Sequence, residues 1–226
     1  MLKAVLFVAA GIAVSLVPVS FVLLLLAPDG EFEEDPAALA VAIGSSVIFQ
    51  LLMGFAAWRW AVDKYSAGWS SLGLRKPKRG SWWLPFVLLG ASWAVMFAYF
   101  TGLAEIGIEP DTGLPEQAYE NMAPLLTLAA LSLFFAPVFE EIFFRGFLFA
   151  GLRCRWGLPA AALASGMLFG IVHTLNPGFY YVVPPIALVG VIFALGYAYS
   201  GSIYHTMATH FMFNAVSFSV GLLDVQ

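Results

Sequence analysis

The sequence predicts an all-α protein, a polytopic bundle of about seven transmembrane helices, and three observations lead there. Hydrophobic residues make up 61% of the chain and charged residues only 11%. The mean hydropathy of +0.88 lies outside the range of soluble globular domains. Apolar runs recur from end to end, at residues 2–27, 37–62, 82–104, 123–152, 158–175, 184–200 and 202–223, most of them near the ~20 residues a bilayer crossing needs. The charges between the runs separate by sign onto alternate connections. No stretch remains for a sizeable soluble domain. The absence of a basic domain or an aromatic-and-basic stripe argues against a nucleic-acid partner. The single cysteine, Cys154, excludes an intramolecular disulfide framework and any all-cysteine metal site.

Each element follows from hydropathy and its breakers. The first run resembles a secretory signal in position, but its apolar stretch is too long and no small-residue cleavage site follows, so a retained helix is expected. The second completes an N-terminal pair over residues 1–62, and a basic loop spans 63–81. Residues 82–226 form the rest of the bundle, and all three parts make one membrane domain. Within it the fourth run is interrupted by charge, and the sixth is short and begins at Pro184-Pro185.

Charge orients the bundle. Lys3, Arg59, Lys64, Arg75, Lys76, Lys78, Arg79, Arg153 and Arg155 fall on one face under alternating topology, and the positive-inside tendency assigns that face to the cytoplasm. The opposite face collects Asp29, Glu31, Glu33, Glu34, Asp35, Glu105, Glu109, Asp111, Glu116 and Glu120. Trp58, Trp60, Trp82, Trp83 and Trp156 sit near the cytoplasmic boundaries, where amphipathic rings settle. The N-terminus is therefore expected inside and the C-terminus outside.

Some charges lie where a membrane does not favour them. Glu140, Glu141 and Arg145 interrupt the fourth run, and each charge costs ~2.5–3.5 kcal/mol at mid-helix unless compensated. Glu141 and Arg145 are four residues apart and share a face, so they can pair. Glu140 lies about 100° around the helix, where Arg145 cannot serve it equally. Pro137 cannot donate to the carbonyl of Leu133 and is expected to kink the helix beside Glu140. Such a cluster can also serve only to hold helices together.

In the fifth run Ala162, Gly166 and Gly170 recur every fourth residue, a small-residue stripe that suits close helix approach, and His173 continues that face. Ser202, Thr206, His210 and Asn214 repeat the spacing in the seventh run, where interhelical hydrogen bonding is the plainer explanation. His205 lies off that stripe near the basic end and is expected at the interface. Two carboxylates, an arginine, two histidines and an amide thus occupy predicted spans, with the parts for hydrolysis: a base for water, its partner, and oxyanion donors. Zinc is the divalent metal such a set admits, through Glu140, His173 and His210. The H-E-x-x-H pair of zincins and the G-x-S-x-G elbow of serine hydrolases are absent from the sequence.

EEIFFRG at 140–146, FGIVH at 169–173 and HFMFN at 210–214 resemble, in order, the EExxxR, FxxxH and HxxxN motifs of the CAAX-protease and bacteriocin-processing family of intramembrane endopeptidases. WSSLGLRKP at 69–77 is similar to the segment that precedes that family's core. The resemblance implies a conical catalytic cavity that opens towards the cytoplasm, within a prokaryotic plasma membrane. Glu140 and His173 would activate water, and His210 and Asn214 would stabilise the oxyanion. Glu141, Arg145 and Phe169 would support them. No cofactor is required in a glutamate mechanism, while a metalloprotease mechanism would use the zinc set above. The expected partners are the lipid bilayer and a peptide or membrane-protein substrate. Two other classes fit parts of the pattern: a non-catalytic immunity or scaffold protein of the same family, and a proton-coupled transporter. Transporters usually carry inverted repeats, and the sequence has none.

Overall fold

A computed structural model describes residues 2–31, 33–108, 116–173 and 179–224. Glu109 and Asp111 of the acidic face lie outside the described residues. Six helical stretches are long and apolar enough to cross a membrane, and one of them, Met122–Val172, runs for 51 residues. Gly157 divides it, with φ 74° and ψ 178° inside the stretch, a conformation open to glycine and strained for other residues. Seven helices result: α1 Leu2–Leu26, α2 Pro36–Asp63, α3 Leu84–Glu105, α4 at 122–156, α5 at 158–172, α6 Val183–Ser200 and α7 Ile203–Asp224. The sixth run is thus a helix. Its two prolines occupy the first turn, where their missing N–H groups have no intrahelical role, and Gly201 closes it in the left-handed region at φ 70°. At the start of α2, Asp35 accepts a hydrogen bond from the Ala38 amide at 2.7 Å, and Pro36 follows it.

Large apolar side chains on the outer faces remain exposed, among them Val14, Val17, Phe97 and Leu223, which is the surface that lipid tails cover. The helix interiors are tied by close approach. A Cβ on Gly166 would meet the Ala187 carbonyl oxygen at 2.6 Å, and one on Gly170 would meet that of Val183 at 2.7 Å. The small-residue stripe of α5 therefore packs directly on the backbone of α6.

The perturbation at Pro137 takes the form of a π segment, Leu131–Phe135, one turn earlier. A longer one, Glu141–Phe149, follows Glu140. Such widened turns absorb a missing backbone donor or an extra residue without ending the helix.

The packed core occupies the half of the bundle nearest the basic loop, with Met53, Leu72, Phe144, Phe149 and Ile203 almost fully buried. A strap formed by the loop, including the single turn Trp69–Leu72, lies across this end. The Gly73 carbonyl accepts from the Ile203 amide at 3.0 Å, and that of Arg75 accepts from the Ser202 hydroxyl at 2.6 Å. His205, expected at the membrane interface, is buried here instead. Its Nε2 lies 2.9 Å from the Ser81 hydroxyl and 3.1 Å from the Ser81 carbonyl oxygen, so it fastens α7 to the start of α3.

Candidate active site

α4 brings its three charges to the centre of the bundle, and α7 meets them. Arg145 and Glu141 are completely buried and paired, Nη1 to Oε1 at 2.8 Å, as the four-residue spacing predicts. The guanidinium also sits over the rings of Phe169 at 4.2 Å and Phe193 at 5.0 Å, so two π faces and one carboxylate take the place of water. Its second arm reaches the Gly190 carbonyl at 3.5 Å, brought near by the close α5–α6 packing. Phe169 therefore belongs to the support of Arg145, and its carbonyl fixes a second group: His173 Nδ1 lies 2.8 Å from it. A carbonyl only accepts, so Nδ1 carries the proton and the lone pair of the neutral ring is on Nε2.

The same logic applies to His210. Its Nδ1 is 3.1 Å from Glu141 Oε1, an acceptor, and its Nε2 is 3.9 Å from Glu140 Oε2. One oxygen of Glu141 thus serves both Arg145 and His210. Glu140 stands apart from that pair. Its Oε1 accepts from Gln50 Nε2 at 2.8 Å, and its Oε2, though buried, has no hydrogen-bond partner. Gln50 belongs to α2, far from the motifs in sequence. Asn214 directs one N–H to the Ser132 carbonyl at 2.7 Å, leaving its second N–H for another acceptor.

Glu140, Phe169, His173, His210 and Asn214 line one cavity of about 800 Å³. Most of its wall is apolar or aromatic, including Trp93, Phe100, Phe193 and Phe213. The cavity runs along α3 from Trp93 to Ala104, α4 from Glu140 back to Leu128, α6 from Phe193 back to Ile186, and α7 from His210 to Gly221. Most of these residues lie in the half of the helix remote from the basic loop, while Trp93, Glu140, Phe193, His210 and Phe213 lie near mid-helix. The cavity extends towards the acidic face, because the strap and the aromatic core fill the basic half.

Residues 122–216 match the family described as type II CAAX prenyl endopeptidase Rce1-like. These 95 residues, of 226 in the chain, are similar to that family. No curated protein and no solved structure gives a significant match to the chain. The CAAX-protease match begins with α4 and ends in α7, so it holds all three motifs. It stops short of Gln50 on α2, which holds Glu140, and of α3, which supplies part of the cavity wall. Gln50 carried one sequence signal, an amide inside an apolar run, and nothing in the sequence named its partner. The metal set read from the sequence was also placed against the geometry. Among the described residues, no three of His, Cys, Asp and Glu converge as a group that could hold a metal ion. As arranged, Glu140, His173 and His210 do not form a three-ligand site.

Proposed function

We propose that this integral membrane protein is an intramembrane endopeptidase, hydrolysing peptide bonds with water activated by Glu140 and His173. The observation that carries the reading is that Glu140, whose Oε2 is buried without a hydrogen-bond partner, lines the cavity shared with His173, His210 and Asn214, whereas Glu141 does not. A buried carboxylate oxygen without a donor costs stability, and a substrate water supplies the missing partner. Glu140 takes a proton from that water while the lone pair on His173 Nε2 orients it. The water oxygen bonds to the scissile carbonyl carbon. The second N–H of Asn214 meets the developing oxyanion, and His210 lies one turn away on the same face of α7. The C–N bond then breaks, and the proton held by Glu140 goes to the leaving amine.

The decisive experiment is cleavage profiling of peptide and membrane-protein substrates by purified protein, with Glu140→Ala as the control. Hydrolysis by the parent chain and none by the variant is the expected result. Equal activity in both would remove the reading.

Two further outcomes are expected. Prolonged chelation leaves turnover unchanged; loss of activity on chelation, restored by stoichiometric zinc, would move the three residues into ligand roles. Gln50→Leu removes the only donor on Glu140 Oε1 and lets the carboxylate rotate out of position. A hydrogen bond to a charged group is worth about 1.5–3 kcal/mol, so turnover should fall by roughly 10- to 100-fold. The melting temperature should change little, because the substitution also deletes the unpartnered buried oxygen of Gln50. Parent-like turnover in Gln50→Leu would show that Glu140 needs no positioning from α2.

A further inference from the structure

The end of the bundle that carries the loop between α2 and α3 and the junction of α4 with α5 is strongly cationic. Every Lys and Arg except Arg145 belongs to it, against a single carboxylate, Asp63. That carboxylate is taken by Arg59 at 2.8 Å. Among the described residues no other ion pair forms at this end, so the protein itself supplies the remaining cations with no counter-ion. Four of them, Arg75, Lys76, Lys78 and Arg79, are exposed and crowd into one short run of the strap. Like charges this close repel one another, and an anion from outside the protein relieves that cost.

The strap presents these charges from a fixed backbone. Leu72 is buried, and its carbonyl lies against Gly146 of α4. The Gly73 and Arg75 carbonyls accept from Ile203 and Ser202 of the α7 start, and the Ser81 hydroxyl donates to the Lys78 carbonyl at 2.6 Å. Backbone bonds thus pin the run at residues 73, 75 and 78. Trp69 and Trp82 bracket it and are 51% and 76% exposed. Indole rings left open beside a membrane span settle among lipid headgroups, so they hold the strap at that depth rather than out in bulk water. A soluble acidic partner would need the cations clear of the lipid, whereas a phospholipid headgroup meets them where they lie.

We infer that the strap, from Trp69 to Trp83, is a docking surface for anionic phospholipid headgroups, which supply its missing counter-charge and hold it against α4 and α7. The inference rests on charge, exposure and packing, and is independent of the peptidase reading. Each Lys or Arg beside an anionic lipid surface strengthens binding by roughly fivefold. The strap also joins that surface to the interior. Its inner side touches Gly146, the residue after Arg145 in the π segment that follows Glu140. A lipid bound outside therefore secures the packing of the helix that carries the buried charges.

The test titrates the purified full chain, in a neutral detergent, with brominated phosphatidylglycerol or brominated phosphatidylcholine and reads the quenching of tryptophan fluorescence. Melting temperature is followed with the same lipids unbrominated. The parent should bind phosphatidylglycerol at least about tenfold more tightly than phosphatidylcholine and melt higher in its presence. Both differences should shrink in high salt, where the Debye length falls to about 3 Å. Lys76→Gln/Lys78→Gln/Arg79→Gln should lose most of the preference. Lys76→Arg/Lys78→Arg/Arg79→Lys keeps the charge and should keep the preference. Lys3→Gln/Arg155→Gln removes charge at the same end but outside the strap, and should keep it too. Equal quenching of the parent by the two lipids overturns the inference without recourse to any variant. So does a preference that survives the three glutamines, or one that Lys3→Gln/Arg155→Gln abolishes. Equal stabilisation by inorganic phosphate would make the ligand a soluble anion and overturn the lipid.

Discussion

Glu140→Gln should insert, fold and melt like the parent protein while losing essentially all peptide hydrolysis. The substitution keeps the shape of the side chain and leaves an amide oxygen to accept from Gln50 Nε2, which now lies 2.8 Å from Oε1. It removes the charge and the proton-accepting capacity of the second oxygen, the one buried without a hydrogen-bond partner. General-base catalysis contributes about 10²–10⁴-fold, and the loss should be at the upper end or beyond, because no other carboxylate can take over. Glu141 is the nearest alternative; its Oε1 is held by Arg145 and His210, and, although its Oε2 is also buried without a partner, Glu141 does not line the cavity. Turnover measured beside a melting curve in the same detergent checks both halves of the expectation. A well-folded Glu140→Gln with parent-like turnover would assign the base elsewhere.

Much of this arrangement was readable before any coordinates, for identifiable reasons. Hydropathy located the seven helices because lipid imposes a length and composition that soluble packing does not. The four-residue spacing of Glu141 and Arg145 foretold their pairing, since helical neighbours are set by local geometry alone. The stripe Ala162, Gly166 and Gly170 foretold a close crossing, and the α5–α6 contact supplies it.

What stayed hidden was set by long-range packing. Gln50 and Glu140 are 90 residues apart, and an isolated amide in an apolar run is compatible with a partner on any neighbouring helix. The burial of His205 depends on where Ser81 comes to rest. The side on which the cavity opens depends on which half of each helix carries the aromatic packing and on the strap that lies over Gly146. A Cβ at that glycine would strike the Leu72 carbonyl, a contact between a loop and a helix that no local pattern announces. The motif resemblance placed the candidate groups on their helices, and packing decided which of them share one cavity.

Glu141→Gln should behave in the opposite manner to Glu140→Gln, with a loss of stability accompanying the loss of activity. Arg145 and Glu141 are fully buried, and their ion pair is the only one Arg145 makes at short range, at 2.8 Å. The π faces of Phe169 and Phe193 attract the guanidinium but carry no net charge to neutralise it. A glutamine at 141 can still accept through its oxygen, yet it leaves a buried cation without a counter-ion, and it deprives His210 Nδ1 of the anion 3.1 Å away. Breaking a buried pair from one side costs about 3–5 kcal/mol, which for a chain of this size corresponds to a melting temperature lower by roughly 10 °C. Arg145→Met supplies the comparison, because it removes the unpaired cation; adding it to Glu141→Gln should recover part of the lost stability and none of the activity. The three variants, measured for melting temperature and turnover, separate an electrostatic cost at Arg145 from loss of the base. A Glu141→Gln protein that melts like the parent and is inactive, beside an active Glu140→Gln, would reverse the two roles and make Glu141 the base.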